Sequence, residues 1–385
     1  MTCPSCQGDA RCKGFRWRVA VSLLGTLRLR RHYYLCPRCH RGSCPRDELL
    51  GLRAHDLTPA ADEAVCLAGV QSSFAEAAGR LLTRLAGLHL SESTAERATE
   101  AAGARLAKAQ AAGETSGPAT TWGWHKDAEG QTVAYVSVDA TGVGQQGPGG
   151  AAAEGRMATV GMIYNPVPED RSRWANPHGP RPPWQARYVA QLRPLAELAE
   201  PLRRQGGQVG MDQAQRWVAL SDGGNGLEAF LRSNFGRVDA VILDFWHAAE
   251  YLGELAKALH PGRDAEAEVW RSMWCSRLKA EGGAAVLEAL RGLDLKGKGR
   301  VAREVQARVV GYFGGQVQRM EYPVYVAKGW QIGSGPVESA CKTVVGLRMK
   351  GGGMRWGEDG ADAVAHLRAL FRSEKGQWEG FWSQN

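Results

Sequence analysis

The stretch TVAYVSVDATGVGQQ, residues 132–146, opens with a run of β-branched and aromatic residues that leads to Asp139 and a Thr-Gly turn. Such a run is typical of a buried strand. The segment RMATVGMIYN, residues 156–165, has the same character and follows closely along the chain. We therefore predict a strand that ends at Asp139 and a neighbouring strand beside it.

Two segments further along the chain repeat the pattern of a strand that runs into a helix. QRWVALSDGGNGLEAFLRSNF, residues 215–235, places Asp222 between a short apolar strand and an amphipathic helix. VDAVILDFWHAAEYLGELAKAL, residues 238–259, places Asp244 at a second such junction. Alternating strands and helices predict an α/β domain with a mixed sheet. In such domains functional groups gather at the strand ends, where Asp139 and Asp222 are expected.

A third acid stands near the C-terminus in KGWQIGSGPVESACKTVVGLRMKGGGMRW, residues 328–356, where Glu338 is the single acid among five cations. Gly335 and Pro336 predict a helix start there, and an acid is favourable in a first helical turn by itself. Likewise, an isolated Asp at a strand end is often a turn former or N-cap. Taken together, Asp139, Asp222 and Glu338 offer the oxygen ligands that two Mg²⁺ ions need for phosphodiester cleavage.

The N-terminus is rich in cysteine: six of the nine cysteines lie within the first 44 residues. Cys3-Pro-Ser-Cys6 and Cys36-Pro-Arg-Cys39 are two C-x-x-C turns, and each offers a pair of thiolates to one tetrahedral structural zinc ion. The residues between them alternate apolar and basic around a central glycine, which predicts a hairpin and hence a zinc ribbon. Reduced cysteines without metal are the alternative. The further candidate ligands are Cys12, His40 and Cys44.

The charge distribution favours a polyanionic partner. The chain carries a formal net charge of +8, and residues 1–57 hold eleven Lys/Arg against four Asp/Glu. Basic blocks also occur at 171–204 and 291–308, although solvated faces are the plain alternative. The expected phosphate-binding residues of the hairpin are Arg16, Arg18, Arg28, Arg30 and Arg31. Those of the C-terminal basic segment are Lys342, Arg348, Lys350 and Arg355.

The remaining composition is that of a globular protein, with 44% apolar and 23% charged residues. No apolar run is long enough for a membrane span or resembles a signal peptide, so a cytosolic protein without membrane contact is expected. Residues 58–118 are Ala-rich and helical in period. They predict either a helix-turn-helix or a plain helical connector, and their slightly acidic balance is unusual for a DNA-reading unit.

Five stretches, together with the cysteine turns, carry a resemblance to a known family: SVDATGV, LSDGGNGL, LDFWHAAEYL, IGSGPVESACKTVVGLRMKGGGMRW and HLRAL. The chain resembles the DDE transposases of bacterial insertion sequences. It is most similar to the ISKra-type group, with Mutator-like transposases as more distant relatives. The glycine-rich block around Glu338 is the most specific of these matches, and the resemblance covers most of the chain.

The resemblance implies a ribonuclease H-like catalytic fold whose triad is Asp139, Asp222 and Glu338, binding two Mg²⁺ (or Mn²⁺) ions. Asp244 and His247 match the D-x-x-H signature of the Mutator-like enzymes. We interpret His247 as a structural residue satisfied by Asp244 and not as a catalytic one. The pattern of glycines at 144–150 is not that of a dinucleotide site, so no nucleotide cofactor is expected.

The domain organisation follows from the same resemblance. It comprises a zinc-ribbon-like DNA-binding domain at 1–57, a helical segment at 58–118, a catalytic domain formed by 119–260 and 321–385, and an α-helical insertion at 261–320. The insertion carries Trp270 and Trp274, which either stack on unpaired bases near the cleavage site or pack as core. Their spacing of four residues favours the core.

The implied activity is cleavage of DNA at the ends of a mobile element and transfer of the freed 3′-hydroxyl into target DNA. The implied partner is double-stranded DNA, bound by a homodimer or larger assembly in the cytoplasm, at the bacterial nucleoid. Two alternatives stay open: a DNA-binding regulator with an inert nuclease fold, and a ribonuclease H-like nuclease that cuts without joining strands.

Overall fold

The computed structural model describes residues 1–52, 55–224 and 226–383. Near the N-terminus, the segment that alternates apolar and basic residues forms a long antiparallel hairpin. Its strands are β1 (Arg11–Ser22), β2 (Gly25–Leu35) and the short β3 (Gly42–Ser43). Gly25 turns the chain with φ +115°, a backbone region that favours glycine. The hairpin thus spans the interval between the two cysteine turns, as the sequence predicts.

A group of helices follows the hairpin. These are α1 (Pro45–Leu49), α2 (Pro59–Gln71), α3 (Phe74–Glu76), α4 (Thr83–Ala86) and α5 (Glu92–Ala111), with a π-helical turn at Ala77–Leu82 between α3 and α4. Ser91 caps α5 by accepting a hydrogen bond from the backbone N–H of Thr94. The predicted helical character of this segment is confirmed, and its helix-turn-helix function stays a prediction.

The central feature of the fold is a five-stranded mixed sheet with the spatial order β6-β5-β4-β7-β8. Its strands are β4 (Val133–Gln146), β5 (Ala152–Asn165), β6 (Gln185–Gln191), β7 (Arg216–Ser221) and β8 (Val238–Leu243). β4, β5 and β6 pair antiparallel, whereas β4, β7 and β8 pair parallel. This confirms an α/β fold with a mixed sheet.

The first of these strands is longer than predicted. β4 does not end at Asp139 but continues to Gln146, because β5 pairs with it beyond that point. Asp139 instead marks the place where pairing to β7 stops, since Ser137 and Leu220 form the last pair on that side. Asp139 therefore still lies at an edge of the parallel part of the sheet.

Helices cover both faces of the sheet. They are α6 (Ala199–Gln208), α7 (Leu227–Asn234), α8 (Phe245–Leu259), α9 (Asp264–Arg291), α10 (Arg300–Gln316), α11 (Tyr322–Ala327), α12 (Gly335–Ala340), α13 (Leu347–Met349), α14 (Glu358–Arg372) and α15 (Gln377–Ser383). Val133 and Tyr135 of β4 belong to the larger core, whereas Val136 and Val138 belong to a second core. Successive side chains of β4 therefore point to opposite faces of the sheet and contribute to both cores.

The long interval between β8 and α12 is helical, as predicted for 261–320. α9 and α10 pack against α8, and α9 bends at Gly282, which has φ +84°. Trp274 is buried in the larger core and Trp270 stacks on it at 4.8 Å, so the structure supports their interpretation as core.

The N-terminal helices also pack against the C-terminal ones. Cys66, Ala102 and Leu106 share a core with Leu367 and Trp382. A Cβ atom added at Gly103 would lie 2.1 Å from the carbonyl oxygen of Ala363, so this helix pair needs glycine for its close approach. Across the described residues, no helix combines the length and the apolar character that crossing a membrane would require.

Candidate active site

The two cysteine turns come together at the base of the hairpin. The Sγ atoms of Cys3, Cys6, Cys36 and Cys39 lie within 4.8 Å of one another. The Sγ atoms are 3.6 Å apart between Cys3 and Cys39, and 3.5 Å apart between Cys6 and Cys36. Four sulfurs around a zinc ion with Zn–S bonds of ~2.3 Å are separated by ~3.8 Å. The four cysteines could therefore hold a structural metal such as zinc.

The backbone around Cys3 and Cys36 favours their ionised form, which is the form that binds metal, whereas the neighbouring thiols raise the pKa of Cys6. The pKa of Cys3 is lowered to about 6, chiefly because the backbone N–H of Ser5 donates to its sulfur. The pKa of Cys36 is lowered in the same way by the backbone N–H of Cys39. Cys12, His40 and Cys44, the further candidate ligands, do not belong to the close four-sulfur group.

The two faces of the hairpin differ in what their arginines contact. Arg18 donates to Asp47 at 2.9 Å and to Asp56 at 2.6 Å, and Arg31 also pairs with Asp47. The side chains of Arg18, Arg31 and Asp47 are each 15% exposed. These two arginines hold the hairpin to the helix that follows it, so their charge is already matched within the chain.

The opposite face carries exposed aromatic and basic side chains. Arg30 lies 3.8 Å from the ring centre of Phe15, and Arg28 lies 5.4 Å from that of Trp17. The side chains of Phe15 and Trp17 are 51% and 60% exposed. Arg16 is also exposed, but it pairs with Arg31 across the two strands and therefore lies on the face of Arg18 and Arg31, 4.3 Å from the ring centre of Tyr33. Rings that hold guanidinium groups outward in this way create a surface suited to a polyanion.

The strand register brings three aspartates to one edge of the central sheet. Ser137 of β4 pairs with Leu220 of β7, and Ser221 of β7 pairs with Leu243 of β8. Asp222 and Asp244 directly follow the second pair, and Asp139 lies two residues after Ser137, as Asp222 does after Leu220. Since β4, β7 and β8 are parallel, all three residues lie at the carboxyl edge, where α/β sheets bind their ligands.

Asp139 has an environment that disfavours its charged form. Burial raises the pKa of its carboxyl group, and the negative charges of Asp222 and Glu338 raise it further. The backbone N–H of Ala140 donates to Oδ1 at 2.7 Å, and the thiol of Cys341 is a second hydrogen-bond partner. The carboxylates of Asp222 and Glu338 are therefore close enough to act electrostatically on Asp139.

Glu338 is connected to the sheet edge through Ser334. The backbone N–H of Ser334 donates to Oδ1 of Asp244 at 3.0 Å, and its hydroxyl donates to Oε1 of Glu338 at 2.7 Å. Glu338 lies in the first turn of α12, which packs against β4 and β5. The predicted helix start at Gly335 and Pro336 is confirmed, and it directs an exposed carboxylate towards the strand ends.

Asp222 sits in a tight glycine turn that leaves little space. The backbone N–H of Gly224 donates to its Oδ1 at 2.8 Å. A Cβ atom at Gly223 would lie 2.4 Å from the hydroxyl oxygen of Tyr312. The glycine thus lets α10 approach the Asp222 turn closely, and the negative charge of Asp222 contributes to the raised pKa of Tyr312, after burial and Tyr251.

The side chain of Arg319 forms hydrogen bonds to the end of β7 at this edge, and the sequence did not predict this role. Its side chain is buried and donates to the hydroxyl of Ser221 at 2.7 Å and to the carbonyl oxygens of Ser221 and Asp222 at 3.2 and 3.3 Å. It follows α10 within the segment predicted as an insertion. No motif surrounds it, so only the three-dimensional packing identifies it.

Asp244 and His247 lie at the start of α8. Asp244 is buried and accepts hydrogen bonds from the backbone N–H groups of Trp246 and His247 at 3.1 and 3.2 Å. The ring of His247 contacts Glu250 at 3.5 Å and the rings of Tyr251 and Tyr312. The imidazole thus contacts Glu250, and only the backbone N–H of His247 bonds to Asp244, so the structural interpretation of His247 stays a prediction.

The four cations after Glu338 do not share one role. Arg348 is 2% exposed, donates to the carbonyl oxygen of Gly69 at 2.6 Å and lies 4.8 Å from the ring centre of Trp356. Burial lowers its pKa to about 10. The prediction that Arg348 binds phosphate is therefore wrong, because its guanidinium is enclosed by the N-terminal helices. The exposed cations are Lys342, Lys350 and Arg355.

The donor set at the sheet edge suits hard cations, because carboxylate oxygens are the ligands that Mg²⁺ prefers. Among the described residues, only the four cysteines bring three or more Cys, His, Asp or Glu ligand atoms within 4.8 Å of one another. At least two of the carboxylates of Asp139, Asp222 and Glu338 are therefore more than 4.8 Å apart. Two ions ~4 Å apart with ~2 Å bonds accommodate oxygens up to ~8 Å apart. A pair of carboxylate oxygens between 4.8 Å and ~8 Å apart therefore accommodates two cations.

No protein-family model matches this chain, and no curated protein matches it.

Proposed function

We propose that this chain is a DDE transposase, which cleaves DNA at the ends of a mobile element and joins the freed 3′-hydroxyl to target DNA. The observation that supports the proposal is that the charges of Asp222 and Glu338 both raise the pKa of Asp139 at the carboxyl edge of the sheet. Strand ends and a helix start contribute these acids from three separate parts of the chain.

The ribonuclease H-like assignment is part of the same proposal. It is supported by the mixed sheet with helices on both faces and by the helical interval that separates β8 from α12. α9 and α10 fill that interval, as the resemblance to insertion-sequence transposases implies. They also contribute to the site, because Tyr312 and Arg319 reach the turn that holds Asp222.

In the proposed reaction, Asp139, Asp222 and Glu338 hold two divalent cations, which would activate the attacking oxygen and stabilise the leaving one. A water oxygen attacks the phosphorus, its proton goes to solvent, and the bond to the 3′-oxygen breaks to leave a 3′-hydroxyl and a 5′-phosphate. The 3′-hydroxyl then attacks a phosphodiester of the target and displaces its 3′-oxygen. Ser334 orients Glu338 throughout, because its hydroxyl donates to Oε1.

The hairpin would supply DNA affinity at a distance from the chemistry. Arg16, Arg28 and Arg30 are exposed, whereas Arg18 and Arg31 are paired with acids of the chain. Phosphate contacts of this kind give affinity that falls with salt and position the duplex without reading its sequence. We expect the double variant R28Q/R30Q to lower the slope of log affinity against log salt by about two.

A DNA-binding regulator with an inert site is the second candidate. It is favoured by the hairpin surface, which does not require catalysis, and by the absence of a close group of three ligand oxygens among the described acids. A ribonuclease H-like nuclease is the third, and it differs from a transposase in releasing cut strands without joining them.

The decisive experiment uses a supercoiled plasmid that carries the DNA flanking the coding sequence of this chain. With Mg²⁺, the wild type should release defined 3′-ends and join them to a second plasmid, and D139N should do neither while still binding DNA. D212N, which changes an exposed aspartate elsewhere, should behave as the wild type. Binding without cleavage by the wild type would favour the regulator, and cleavage without joined products would favour the nuclease.

A further inference from the structure

A small polar cavity lies at the amino end of β4, away from the carboxylates. Val133, the first residue of β4, lines it, and Asp139 follows six residues later, which is ~20 Å along an extended strand. The cavity has a volume of about 70 Å³. A buried water needs ~10–15 Å³ of such space, so a molecule of several heavy atoms fits. The polar side chains that line the cavity are those of His125, Lys126, Tyr135, Arg173 and Gln331.

His125 contributes an unpartnered N–H group to this cavity. The residue is 4% exposed, and the backbone N–H of Ala175 donates to its Nδ1 at 3.1 Å. Because Nδ1 accepts, the single proton of the neutral imidazole lies on Nε2. Burial and the charge of Arg173 lower the pKa of His125, which keeps the ring neutral. Nε2 has no hydrogen-bond partner among the described residues, and a buried donor of this kind is normally paired, so it indicates a bound acceptor.

Gln331 contributes an unpartnered acceptor to the same cavity. Its Oε1 is buried and receives no hydrogen bond within the described part of the chain. Its backbone N–H donates to the hydroxyl oxygen of Tyr135 at 3.4 Å, which leaves the hydroxyl proton of Tyr135 available for a further bond. A ligand that satisfies these groups therefore needs both acceptor atoms and a donor.

The charges around the cavity are positive, and no acid lines it. Arg173 donates to two backbone carbonyl oxygens at 2.8 Å each, and its guanidinium forms no ion pair with a described carboxylate. Lys126 is exposed and likewise has no such pair. Of the acids nearby in the sequence, Asp127 is paired with Arg216 at 3.4 Å, and Asp170 is exposed and outside the cavity. The cavity is thus suited to an anion.

The same groups discriminate among small anions. The two cations, Lys126 and Arg173, match an anion with two negative charges. A carboxylate carries one charge, and sulfate carries two, but neither has a proton to donate to Oε1 of Gln331. Monohydrogen phosphate has two charges, several acceptor oxygens and one hydroxyl group. A phosphate monoester has an ester group in place of that hydroxyl.

We propose that this cavity binds inorganic phosphate as its monohydrogen dianion. Nε2 of His125, the hydroxyl of Tyr135 and the guanidinium of Arg173 donate to the phosphate oxygens, and the phosphate hydroxyl donates to Oε1 of Gln331. Lys126 adds a second positive charge. The site does not depend on the proposed function, because none of these residues belongs to the carboxyl edge of the sheet.

Calorimetric titration of the full chain with sodium phosphate tests this inference. The protein is first dialysed free of phosphate, and the titration is made at constant ionic strength and mildly alkaline pH, where the dianion predominates. We expect saturable binding of about one phosphate per chain. Sulfate and methyl phosphate should each bind about tenfold more weakly, because neither has the hydroxyl that bonds to Gln331.

Three variants assign the binding to this cavity. H125N can retain the bond from Ala175 but loses the Nε2 donor, so its phosphate affinity should fall about tenfold. Q331L offers no acceptor and should lose the preference for phosphate over sulfate. K126Q should bind phosphate about two- to fivefold more weakly, because it removes an exposed charge. K296Q, which changes an exposed lysine outside the cavity, should match the wild type.

Three results would overturn the inference. A wild type without saturable phosphate binding would show that the cavity holds water. Equal affinities of the wild type for phosphate and sulfate would contradict the role of Gln331. Unchanged phosphate affinity in both H125N and K126Q would place the anion elsewhere on the chain. Melting temperatures in phosphate-free buffer control for folding, and none of these results bears on DNA cleavage.

Discussion

The backbone N–H of Ser334 donates a 3.0 Å hydrogen bond to the buried carboxylate of Asp244. This contact ties the loop before α12 to the end of β8, across an interval that contains α9 and α10. Because the hydroxyl of the same serine donates to Glu338, one residue sets the position of the third acid relative to the strand ends. The geometry of the candidate site thus depends on a residue that binds no substrate in the proposed reaction.

Replacing Ser334 with alanine should weaken cation binding. The backbone contact to Asp244 survives in S334A, and only the hydrogen bond to Glu338 is lost. Groups that orient a metal ligand typically contribute a factor of 10–100 in affinity, so we expect about tenfold weaker binding of Mn²⁺ in calorimetric titrations. S339A, which changes the exposed serine next to Glu338, is the matched control. Equal affinities in S334A and the wild type would contradict the orienting role.

Asp139 should destabilise the cation-free protein at neutral pH. Its folded-state pKa is raised, chiefly by burial, so the folded chain binds the proton more strongly than the unfolded chain. The associated stability is present below the unfolded pKa near 4 and is lost as the pH rises through the folded value. We expect D139N to raise the melting temperature at pH 7 by roughly 2–4 °C, or about 1 kcal/mol.

The same variant should respond differently to cations. Added Mg²⁺ should raise the melting temperature of the wild type and leave that of D139N nearly unchanged, because the ligand that binds the folded state is lost. At a pH near 3, where Asp139 is protonated in both states, the two proteins should melt alike. A variant that is less stable than the wild type in chelator at pH 7 would contradict the raised pKa.

Removing Arg319 should destabilise the strand edge. R319Q removes the buried charged donor to the carbonyl oxygens of Ser221 and Asp222, which then keep, among the described residues, only the backbone N–H of Asp244 and the hydroxyl of Ser221 as donors. Hydrogen bonds to a charged group contribute about 1.5–3 kcal/mol. We expect a loss of about 3 kcal/mol in the free energy of unfolding, measured by urea denaturation. R308Q, which breaks only the exposed pair with Glu254, should change it by less than about 1 kcal/mol. Similar losses in both variants would contradict the supporting role of Arg319.

The four-cysteine cluster should bind about one zinc ion per chain, measured by elemental analysis of the purified protein. C3A should lose the metal and with it the hairpin contribution to DNA affinity, because the two C-x-x-C turns are held together at the base of the hairpin. C12A changes an exposed cysteine outside the cluster and should retain the zinc. Retention of zinc by C3A would assign the site to other ligands.

The sequence was most informative where local patterns determine structure. The alternation in residues 15–36 and the C-x-x-C turns predicted the hairpin and the cysteine cluster, and the apolar runs before Asp139 and Asp222 predicted strands of one sheet. The Gly-Pro pair before Glu338 predicted the helix start. These features depend on residues close in the chain, for which composition and spacing are sufficient.

The errors arose where distant segments meet. Arg348 belongs to a basic segment, yet the packing of that segment against the N-terminal helices buries it beside Gly69. Arg18 and Arg31 belong to a basic hairpin, yet Asp47 matches their charge. Arg319 acquires its role from neighbours in space. A pattern of residue types does not reveal such pairings, because they depend on how the elements dock.

The central claim is that Asp139, Asp222 and Glu338 together hold divalent cations. The most direct test is an anomalous difference map from crystals of this chain grown with Mn²⁺. We expect two peaks roughly 4 Å apart at the carboxyl edge of the sheet, with each of the three carboxylates in contact with at least one of them. Absence of Mn²⁺ from this edge in a map that shows the ion elsewhere would contradict the claim.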